Sequence, residues 1–381
     1  MTSSYIPRGK CIFPHVIMMG SIILICLVCG CITDSEKSGD TVVGAGGNTS
    51  LTVTDSLGYT VDLTHPAERI VCQNSGSAEI LASIGAGDRI IGLSNTTISQ
   101  KNYLINKTPN AQNYGDTYTP NIERLITLKP DLFIAYSDST IKPRNLDKIL
   151  NNNMTVVYQT VYDIRNLHNE TIFLGKISGH EVDADRLNAF NDKYLSLIKD
   201  RVKNISPADS PKIYSEQIVD YMAITNGSSG DYILNLVHAR NVAGSIYQQN
   251  AVVSPEWVID QNPDIIIRMV SSGNNMATIR NNLQNRQGFS RINAVKNQRI
   301  YCVSGTILSG PREVIGALYI AKAIYPDRFA DIDPEAILHE YAQEFLPDSD
   351  TETAFYPSLS GVLQYPTITV AQKPTVLENS V

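Results

Sequence analysis

The chain has 381 residues, of which 43% are hydrophobic, and it carries a formal net charge of −7. That length is enough for two domains of ordinary size. The negative charge argues against binding to nucleic acid, which requires a basic face, and no cluster of lysine or arginine overturns this. Beyond the N-terminal segment the only cysteines are Cys72 and Cys302. Two distant cysteines form no disulfide framework, and because each ends a predicted strand, we expect buried thiols.

The N-terminal segment has the features of an export signal. Arg8 and Lys10 precede an apolar run at residues 16–28, as in a secretory signal peptide. The residues before Cys31 resemble a lipoprotein box, which implies a signal peptide at residues 1–31 and Cys31 as the lipidated anchor. The alternative is an uncleaved membrane-spanning anchor, because the run approaches the roughly 20 residues that cross a bilayer. Both place the body outside the cytoplasm, tethered to the outer face of the membrane by a flexible segment at residues 32–50.

Residues 51–163 are predicted to form an N-terminal lobe. Alternating apolar residues around Gly58 predict a β-hairpin at residues 51–63. The elements predicted to follow are a strand, a polar loop, a helix and a second strand, at residues 69–72, 73–77, 78–84 and 89–93. Strands that alternate with helices favour a parallel sheet with right-handed crossovers. Ligands of such sheets bind at the carboxyl ends of the strands.

One pattern occurs twice in the chain, at residues 122–136 and 257–269. Each copy is a short amphipathic segment, then Pro-Asp, then a run of apolar residues. Pro130 and Pro263 end the predicted helices, because proline lacks an N–H donor and disfavours the α conformation of the residue before it. The apolar runs are too short for helices and predict strands buried on both faces of a parallel sheet. The repeat therefore predicts two similar α/β lobes with a binding cleft between them.

Apolar residues recur at helical spacing through residues 164–205, which we expect to form the helical connection between the lobes. Gly175 and Gly179 are possible breaks near its start. The C-terminal lobe is predicted at residues 206–347, ending in helices near residues 313–324 and after Asp333. The sequence assigns no role to the tail at residues 348–381.

Short motifs in the same order resemble the iron-complex and vitamin B12 substrate-binding proteins of ABC importers. They lie at residues 52–58, 68–71, 78–81, 85–92, 129–131, 254–257 and 310–312. The resemblance implies two α/β lobes with parallel sheets joined by one long rigid helix. It also implies partners, an ABC permease and its ATPase, and a cargo that is an iron chelate (siderophore or haem) or a corrinoid. It implies no cofactor and no protein-supplied metal ligand.

In that family an acidic residue on each lobe contacts arginines of the permease. The resemblance places Glu256 at this position in the C-terminal lobe, at the start of a helix. A helix-start carboxylate is also favoured by the helix dipole alone, by about 0.3–1 kcal/mol. The helix start expected to correspond in the N-terminal lobe, residues 141–144, contains no glutamate. Asp138 is therefore the predicted partner of Glu256, with Asp147 as an alternative.

The strand-end loops also supply candidates for ligand binding. Tyrosines offer large, rigid surfaces with a polar tip, which suit a flat or apolar chelate. Arg268 directly follows a run of isoleucines, so we expect it to emerge in the cleft, where it would bind an anionic siderophore or a haem propionate. Arg312 is either a second such group or a structural arginine. The predicted ligand-binding residues are Tyr114, Tyr118, Tyr136, Tyr221, Tyr247, Arg268 and Arg312.

Other classes of function fit the sequence less well. It contains no nucleophile elbow, P-loop or H-E-x-x-H motif, so we expect no enzyme. A receptor for a bare metal ion requires converging ligands, whereas the histidines are scattered, at His65, His168, His180, His238 and His339. A membrane-tethered sensor without a permease is a further alternative. Among cargoes an iron chelate is the first expectation, captured with little movement of the lobes because a helix connects them.

Overall fold

The computed structural model describes residues 50–138, 141–347 and 353–359. The predicted signal peptide, Cys31, nearly all of the tether and most of the C-terminal tail lie outside these residues. Within the described part of the chain, no helix is both long and apolar enough to cross a membrane.

The described residues form twelve strands and twelve α-helices. The strands are β1 (Leu51–Thr54), β2 (Thr60–Leu63), β3 (Ile70–Cys72), β4 (Ile90–Leu93), β5 (Gln112–Asn113), β6 (Leu132–Tyr136), β7 (Val156–Gln159), β8 (Lys212–Glu216), β9 (Arg240–Asn241), β10 (Ile265–Val270), β11 (Ile300–Ser304) and β12 (Phe355–Tyr356). The helices are α1 (Ser75–Ser83), α2 (Asn95–Gln100), α3 (Ile122–Leu128), α4 (Leu146–Leu150), α5 (Leu167–Ser178), α6 (Glu181–Val202), α7 (Ser229–Leu236), α8 (Pro255–Gln261), α9 (Met276–Gln284), α10 (Asn293–Lys296), α11 (Glu313–Ile324) and α12 (Pro334–Phe345).

Two five-stranded sheets define two lobes. The order in the N-terminal lobe is β5-β4-β3-β6-β7, and all neighbours are parallel. The order in the C-terminal lobe is β12-β11-β10-β8-β9, in which only the edge pair of β11 and β12 is antiparallel. Both β4-β3-β6-β7 and β9-β8-β10-β11 have the spatial order 2-1-3-4 when the four strands are numbered along the chain. The prediction of two similar α/β lobes with parallel sheets is confirmed, as is the hairpin of β1 and β2.

The strands after the Pro-Asp repeat, β6 and β10, lie in the interior of the two sheets and are buried on both faces except near their ends. Their apolar runs therefore form strands buried on both faces, as predicted. Cys72 in β3 and Cys302 in β11 are buried free thiols, as predicted. Burial raises the pKa of Cys302 to about 11, so that the unreactive thiol form prevails at neutral pH.

The repeat ends its two helices with the same geometry. Lys129 and Asn262 precede the prolines and are left-handed C-caps, with φ of 48° and 43°. Asparagine tolerates this conformation better than most residues do. Both helices end directly before the proline, as predicted, and each copy of the repeat then leads directly into an interior strand.

The aspartate of each Pro-Asp pair fixes the start of the neighbouring strand. Asp131 accepts a hydrogen bond from the backbone N–H of Arg69 at 3.1 Å, and Asp264 accepts from that of Lys212 at 2.9 Å. The side chains of Arg69 and Lys212 in turn donate to carbonyls at the C-terminal ends of α3 and α8, at 2.6 and 3.1 Å. Cations at a helix C-terminus satisfy its free carbonyls and complement its dipole. The repeat is thus a complete joint between helix, strand and neighbouring strand, present once in each lobe.

The connection between the lobes differs from the single long helix of the prediction. Two helices form it, and Gly179 separates them with a left-handed φ of 70°. Glycine adopts this conformation without steric cost, so α5 ends there. Helix α5 packs on α1 in the N-terminal lobe, whereas the 22-residue α6 packs on α11 in the C-terminal lobe. Because α5 and α6 also pack against each other, the connection is a helix pair.

Two further local features differ from the sequence analysis or extend it. The polar loop predicted at residues 73–77 is shorter, because the side chain of Asn74 accepts from two backbone N–H groups at 2.9 and 3.1 Å and so caps α1. The tail, which the sequence left unassigned, supplies β12 at the edge of the C-terminal sheet. There the ring of Phe355 stacks on Tyr319 with a centroid distance of 5.3 Å.

Candidate functional site

A cavity with a volume of about 640 Å³ lies between the carboxyl ends of the two sheets. The N-terminal lobe contributes residues at or after the ends of β6 and β7, and the C-terminal lobe contributes residues in or after β8, β10 and β11. Open parallel sheets bind their ligands at this edge. The cleft predicted from the paired lobes is therefore present as a cavity of ligand size.

Two tyrosine rings form much of the N-terminal wall. Tyr136 ends β6, and its ring centroid is 6.1 Å from that of Tyr162. The hydroxyl of Tyr162 donates to Asp138 at 3.5 Å, and the hydroxyls of Ser137 and Thr160 lie 2.9 Å apart. Burial raises the pKa of Tyr162, and Asp138 adds to this effect. Burial also raises the pKa of Tyr136. Both phenols therefore stay protonated at neutral pH. The proton of Tyr162 is directed to Asp138, and its hydroxyl oxygen can still accept from a ligand.

The C-terminal wall combines polar backbone with apolar side chains. Residues 227–230 line the cavity at the start of α7, and the ring of Tyr232 lies beside them. The side-chain amide of Gln217 donates to Asn250 at 3.0 Å, and both residues face the cavity. The apolar part of this wall consists of Ile224, Ile233, Leu234, Ile267, Met269, Val303 and Leu308. Such a surface suits a large ligand that is partly apolar and carries hydrogen-bonding groups.

The charges of the lining are few and acidic. Among the described residues that line the cavity, the charged ones are Asp138 and Asp163, and none is lysine, arginine or histidine. Asp163 pairs with Arg165 at 2.7 Å. The guanidinium of Arg165 lies 3.4 Å from the ring centroid of Tyr232, on which it stacks. The cavity thus offers no unpaired cation from this part of the chain to an anionic group.

Of the five tyrosines predicted to bind ligand, Tyr136 lines the cavity and the others do not. Tyr114 is fully buried in the N-terminal lobe, where its hydroxyl donates to a backbone carbonyl of β3 at 3.3 Å. Tyr221 packs edge-on against a core phenylalanine. Tyr118 and Tyr247 are exposed, by 43% and 79%. Proximity of these loops to the strand ends is therefore not enough to place a side chain in the cavity. Tyr162, which the sequence analysis missed, was marked by no motif.

Arg268 is a structural residue of the C-terminal lobe. It lies inside β10, paired in register with Glu216 of β8, and its side chain is 6% exposed. Its guanidinium is 2.9 Å from a carboxylate oxygen of Glu216 and 3.0 Å from one of Asp220, and it donates to the backbone carbonyls of residues 217–219. The expectation that Arg268 emerges in the cleft is corrected, because these partners hold it behind the cavity wall.

Arg312 has the structural role that the sequence analysis left open. Its side chain is 7% exposed and lies 2.6 Å from the carboxylate of Glu79 on α1. Lys101 is 2.6 Å from the same carboxylate, and the hydroxyl of Tyr103 donates to it at 2.9 Å. Arg312 belongs to the C-terminal lobe and the other three to the N-terminal lobe. The cluster therefore joins the two lobes through buried charges and does not face the ligand.

The two predicted docking residues lie in different surroundings. Glu256 is exposed in the first turn of α8. Asp138 lines the cavity and accepts from Tyr162, so the structure gives it a position suited to ligand rather than permease. The repeat identifies a better match for Glu256. Glu123 is exposed in the first turn of α3, the helix that precedes Pro130 as α8 precedes Pro263. The sequence contained this signal, because both glutamates lie seven positions before their proline.

A second cavity, of about 620 Å³, is lined by residues of the C-terminal lobe and by Ile205 at the end of the connection. Its buried carboxylate, Asp231, accepts from the amides of Asn235 and Asn241 at 3.2 and 2.7 Å. The bond from Asn241 joins α7 to β9. These polar residues therefore have a structural role that requires no ligand. Among the described residues, no group of three histidine, cysteine, aspartate or glutamate side chains is placed to hold a metal ion. The cavity between the lobes is therefore the stronger candidate site.

Two α/β lobes joined by a helix pair, with a cavity between facing strand ends, form the architecture of a two-lobed ligand-binding protein. The chain belongs to the periplasmic binding protein family, whose sequence profile matches residues 70–304. This family binds substrates for transport, so the chain is not an enzyme and carries no cofactor of its own. The family expected from the motifs is confirmed.

Named relatives differ in cargo. The uncharacterized ABC transporter substrate-binding lipoprotein YvrC of Bacillus subtilis is 28% identical over 74% of this chain and 87% of its own length. The molybdate-binding protein MolA of Haemophilus influenzae is 25% identical over 77% and 90%. The vitamin B12-binding protein of Vibrio cholerae is 24% identical over 65% and 84%. The crystal structure of the TroA-like periplasmic binding protein FepB from Veillonella parvula has the same fold, with a TM-score of 0.67, 24% identity and coverage of 80% and 98%.

Proposed function

We propose that the protein captures a metal chelate without net negative charge, in the first place a corrinoid, and delivers it to the permease of an ABC importer. The observation that carries this proposal is the charge of the cavity. The charged side chains among the described lining residues are Asp138 and Asp163, and none of these lining residues is lysine, arginine or histidine. The lining is therefore acidic and offers an anionic ligand no cation.

An anionic iron chelate, the first expectation from the sequence, fits this charge poorly. The two arginines expected to bind its anionic groups, Arg268 and Arg312, are both held in buried ion pairs. A ligand carboxylate about 6 Å from Asp138 would be repelled by about 3 kcal/mol at an effective dielectric constant of about 20. Such a penalty weakens binding by about a hundredfold. A neutral or cationic chelate avoids it.

A corrinoid suits the chemistry of the cavity lining. Its ring system is large and partly flat, and its edge carries amide side chains. The rings of Tyr136 and Tyr162 offer flat apolar surface, while Gln217, Asn250 and Thr160 offer hydrogen bonds to amides. The name of the Vibrio cholerae relative agrees with this choice. A small dianion such as molybdate would leave most of the roughly 640 Å³ unfilled and would face Asp138.

Titration of the full chain with cyanocobalamin, haem and several ferric chelates tests the cargo. We expect cyanocobalamin or a cationic chelate to bind with the lowest dissociation constant, measured by calorimetry. The variant Asp138→Asn should bind anionic chelates up to about a hundredfold more tightly than the wild type does, because it removes the repulsion. Tighter binding of an anionic chelate than of every neutral or cationic one by the wild type would refute the choice of cargo.

For delivery we propose that Glu256 and Glu123 contact the permease, one from each lobe. Both carboxylates are exposed at equivalent positions of the repeat, where they can meet cationic side chains. Glu256→Lys and Glu123→Lys should each abolish uptake of cargo by cells while leaving cargo affinity unchanged. Asp260→Lys, an exposed reversal near the end of α8, is the matched control. Normal uptake by both glutamate variants would favour a tethered sensor without a permease.

We further propose that Cys31 carries the lipid that tethers the protein to the outer face of the membrane. The names of the lipoprotein relatives support this, as does the sequence around Cys31. Cys31→Ser should leave the protein unlipidated, and metabolic labelling with a fatty acid measures this directly. Equal labelling of variant and wild type would exclude Cys31 as the modified residue.

A further inference from the structure

A small apolar ridge projects from the C-terminal lobe beside α8. It consists of Ile218, Val219 and Val252, whose side chains are 44%, 54% and 66% exposed. Single exposed apolar residues are ordinary, but adjacent ones on an ordered loop mark contact surfaces. Ile218 and Val219 are neighbours in sequence, and Met222 of the same loop pairs with Val252 in an antiparallel bridge.

Buried charges fix the loop that carries the ridge. The guanidinium of Arg268 donates to the carbonyls of residues 217–219, with a distance of 3.0 Å to that of Val219. It also pairs with Asp220, at the far end of the same loop. With its carbonyls turned toward Arg268, the loop directs Ile218 and Val219 toward solvent. A buried guanidinium is costly to desolvate, so its use to hold a short exposed loop indicates that the position of that loop matters.

The ridge is continuous with the proposed docking helix. The backbone N–H of Val253 donates to the carbonyl of Tyr221 at 3.0 Å. The next residue, Ser254, caps α8, and Glu256 follows in its first turn. Glu256 is also near enough to Tyr221 to act on its pKa, which burial raises. An apolar patch and an exposed carboxylate therefore lie side by side.

The same loop reaches the cavity. Gln217 precedes the ridge and lines the cavity, where its amide donates to Asn250 at 3.0 Å. Asn250 precedes the strand segment that carries Val252. Both segments of the ridge thus begin at the cavity wall and end at the outer surface.

We propose that the ridge is an apolar docking surface for the extracytoplasmic face of the permease, adjacent to the contact made by Glu256. This inference rests on the proposed function for the identity of the partner. Its occupant is the permease because the ridge continues the Glu256 surface, and because interfaces commonly combine an apolar centre with charged groups at its edge. Through Gln217 and Asn250, the same contact lies one loop away from the ligand.

The double variant Ile218→Ser/Val219→Ser tests the ridge. The measurement is binding of the ligand-free full chain to a permease–ATPase complex in lipid vesicles that supports uptake with the wild type. We expect a dissociation constant at least tenfold higher than that of the wild type, since two apolar side chains no longer become buried. Val182→Ser, which alters a 75% exposed valine on α6, is the matched control and should change binding less than twofold. Cyanocobalamin affinity should stay within twofold in both.

The outcomes separate the ridge from the docking proposal on which it rests. If Glu256→Lys weakens the association and the double variant does not, the ridge inference is refuted and docking through Glu256 stands. If neither change weakens it, the docking proposal itself fails. A loss of cyanocobalamin affinity in the double variant would assign the loop to the cavity instead. If light scattering shows that the wild type is a dimer and the double variant a monomer, the ridge contacts a second copy of the chain instead.

Discussion

Removal of the carboxylate of Glu79 tests how the lobes are held together. Glu79 is fully buried in α1, with Lys101 2.6 Å from one of its oxygens and Arg312 2.6 Å from the other. The variant Glu79→Gln keeps the shape of the side chain but leaves two buried cations without a counter-ion. Because Arg312 belongs to the C-terminal lobe, the variant also weakens the contact between the lobes.

The expected cost follows from the charges around each member of the cluster. Burial alone would raise the pKa of Glu79, but Arg312 and Lys101 outweigh it, and the pKa is lowered. Burial lowers the pKa of Lys101, and Glu79 only partly offsets this. The site therefore stabilises the charge of Glu79 and disfavours that of Lys101. Removing one partner of a buried pair costs about 3–5 kcal/mol. We expect the cost of Glu79→Gln to lie near the upper end of this range. The cost of Lys101→Met should lie near or below the lower end, since Arg312 still balances the charge of Glu79.

The free energy of unfolding, measured in urea with the fluorescence of Trp257, is the assay. Lys203→Met is the matched control, because Lys203 pairs with Asp200 at 3.3 Å on the surface and such pairs contribute about 0–1 kcal/mol. Since the folded pKa of Glu79 lies below its unfolded value near 4.5, its contribution is present at neutral pH and is lost as the pH falls below that value. Equal costs for Glu79→Gln and Lys101→Met, or a cost of Glu79→Gln no larger than that of the control, would refute this reasoning.

Three further predictions concern stability and binding. Burial raises the pKa of Glu313 well above its usual range, so the folded state keeps a proton that the unfolded state loses. The free energy of unfolding therefore falls as the pH rises above about 4.5. Glu313→Gln should flatten this decline in unfolding experiments between pH 5 and 8, and an unchanged slope would contradict the prediction. Gly310 has a φ of 70°, and a Cβ there would lie 3.1 Å from the backbone of α1. We expect Gly310→Ala to lower the melting temperature more than Gly273→Ala, which has a similar φ but no neighbour within 4 Å; equal shifts would argue against a tight contact between the lobes. Tyr162→Ala should weaken cyanocobalamin binding by about tenfold, because one aromatic contact is lost, whereas Tyr247→Ala should not weaken it. A larger loss of affinity in Tyr247→Ala than in Tyr162→Ala would show that the ligand does not bind in the cavity.

The sequence predicted the architecture because its signals are local. The stop at Pro130 and at Pro263 depends on the geometry of one residue and its neighbour. The buried strands after them follow from short runs of apolar side chains. Patterns of this kind can be recognised in the sequence without any knowledge of the tertiary structure.

The partners of the arginines could not be predicted, because they are set by contacts distant in sequence. Arg268 meets Glu216 through the register between β10 and β8, which no local pattern reveals. Arg312 meets Glu79, 233 positions earlier, only once the lobes are assembled. A charge near the end of an apolar strand was therefore assigned to the ligand, whereas buried carboxylates already neutralise it. Glu123 and Glu256 lie in the first turns of the helices of the two repeat copies, whereas the family resemblance directs attention to residues 141–144 as the N-terminal counterpart.

The repeat also explains how docking at the surface can reach the ligand. In the proposed complex the permease holds Glu123 in α3 and Glu256 in α8. Each helix is joined through Pro-Asp to an interior strand, and those strands bring Tyr136 and Met269 to the cavity. The lobes are held together elsewhere, by the buried pair of Glu79 and Arg312 and by the helix pair of α5 and α6. Because these contacts resist separation, the free protein should keep its cavity nearly closed, and opening requires a pull on both lobes at once. In the proposed complex Glu123 and Glu256 would transmit that pull, one to each lobe.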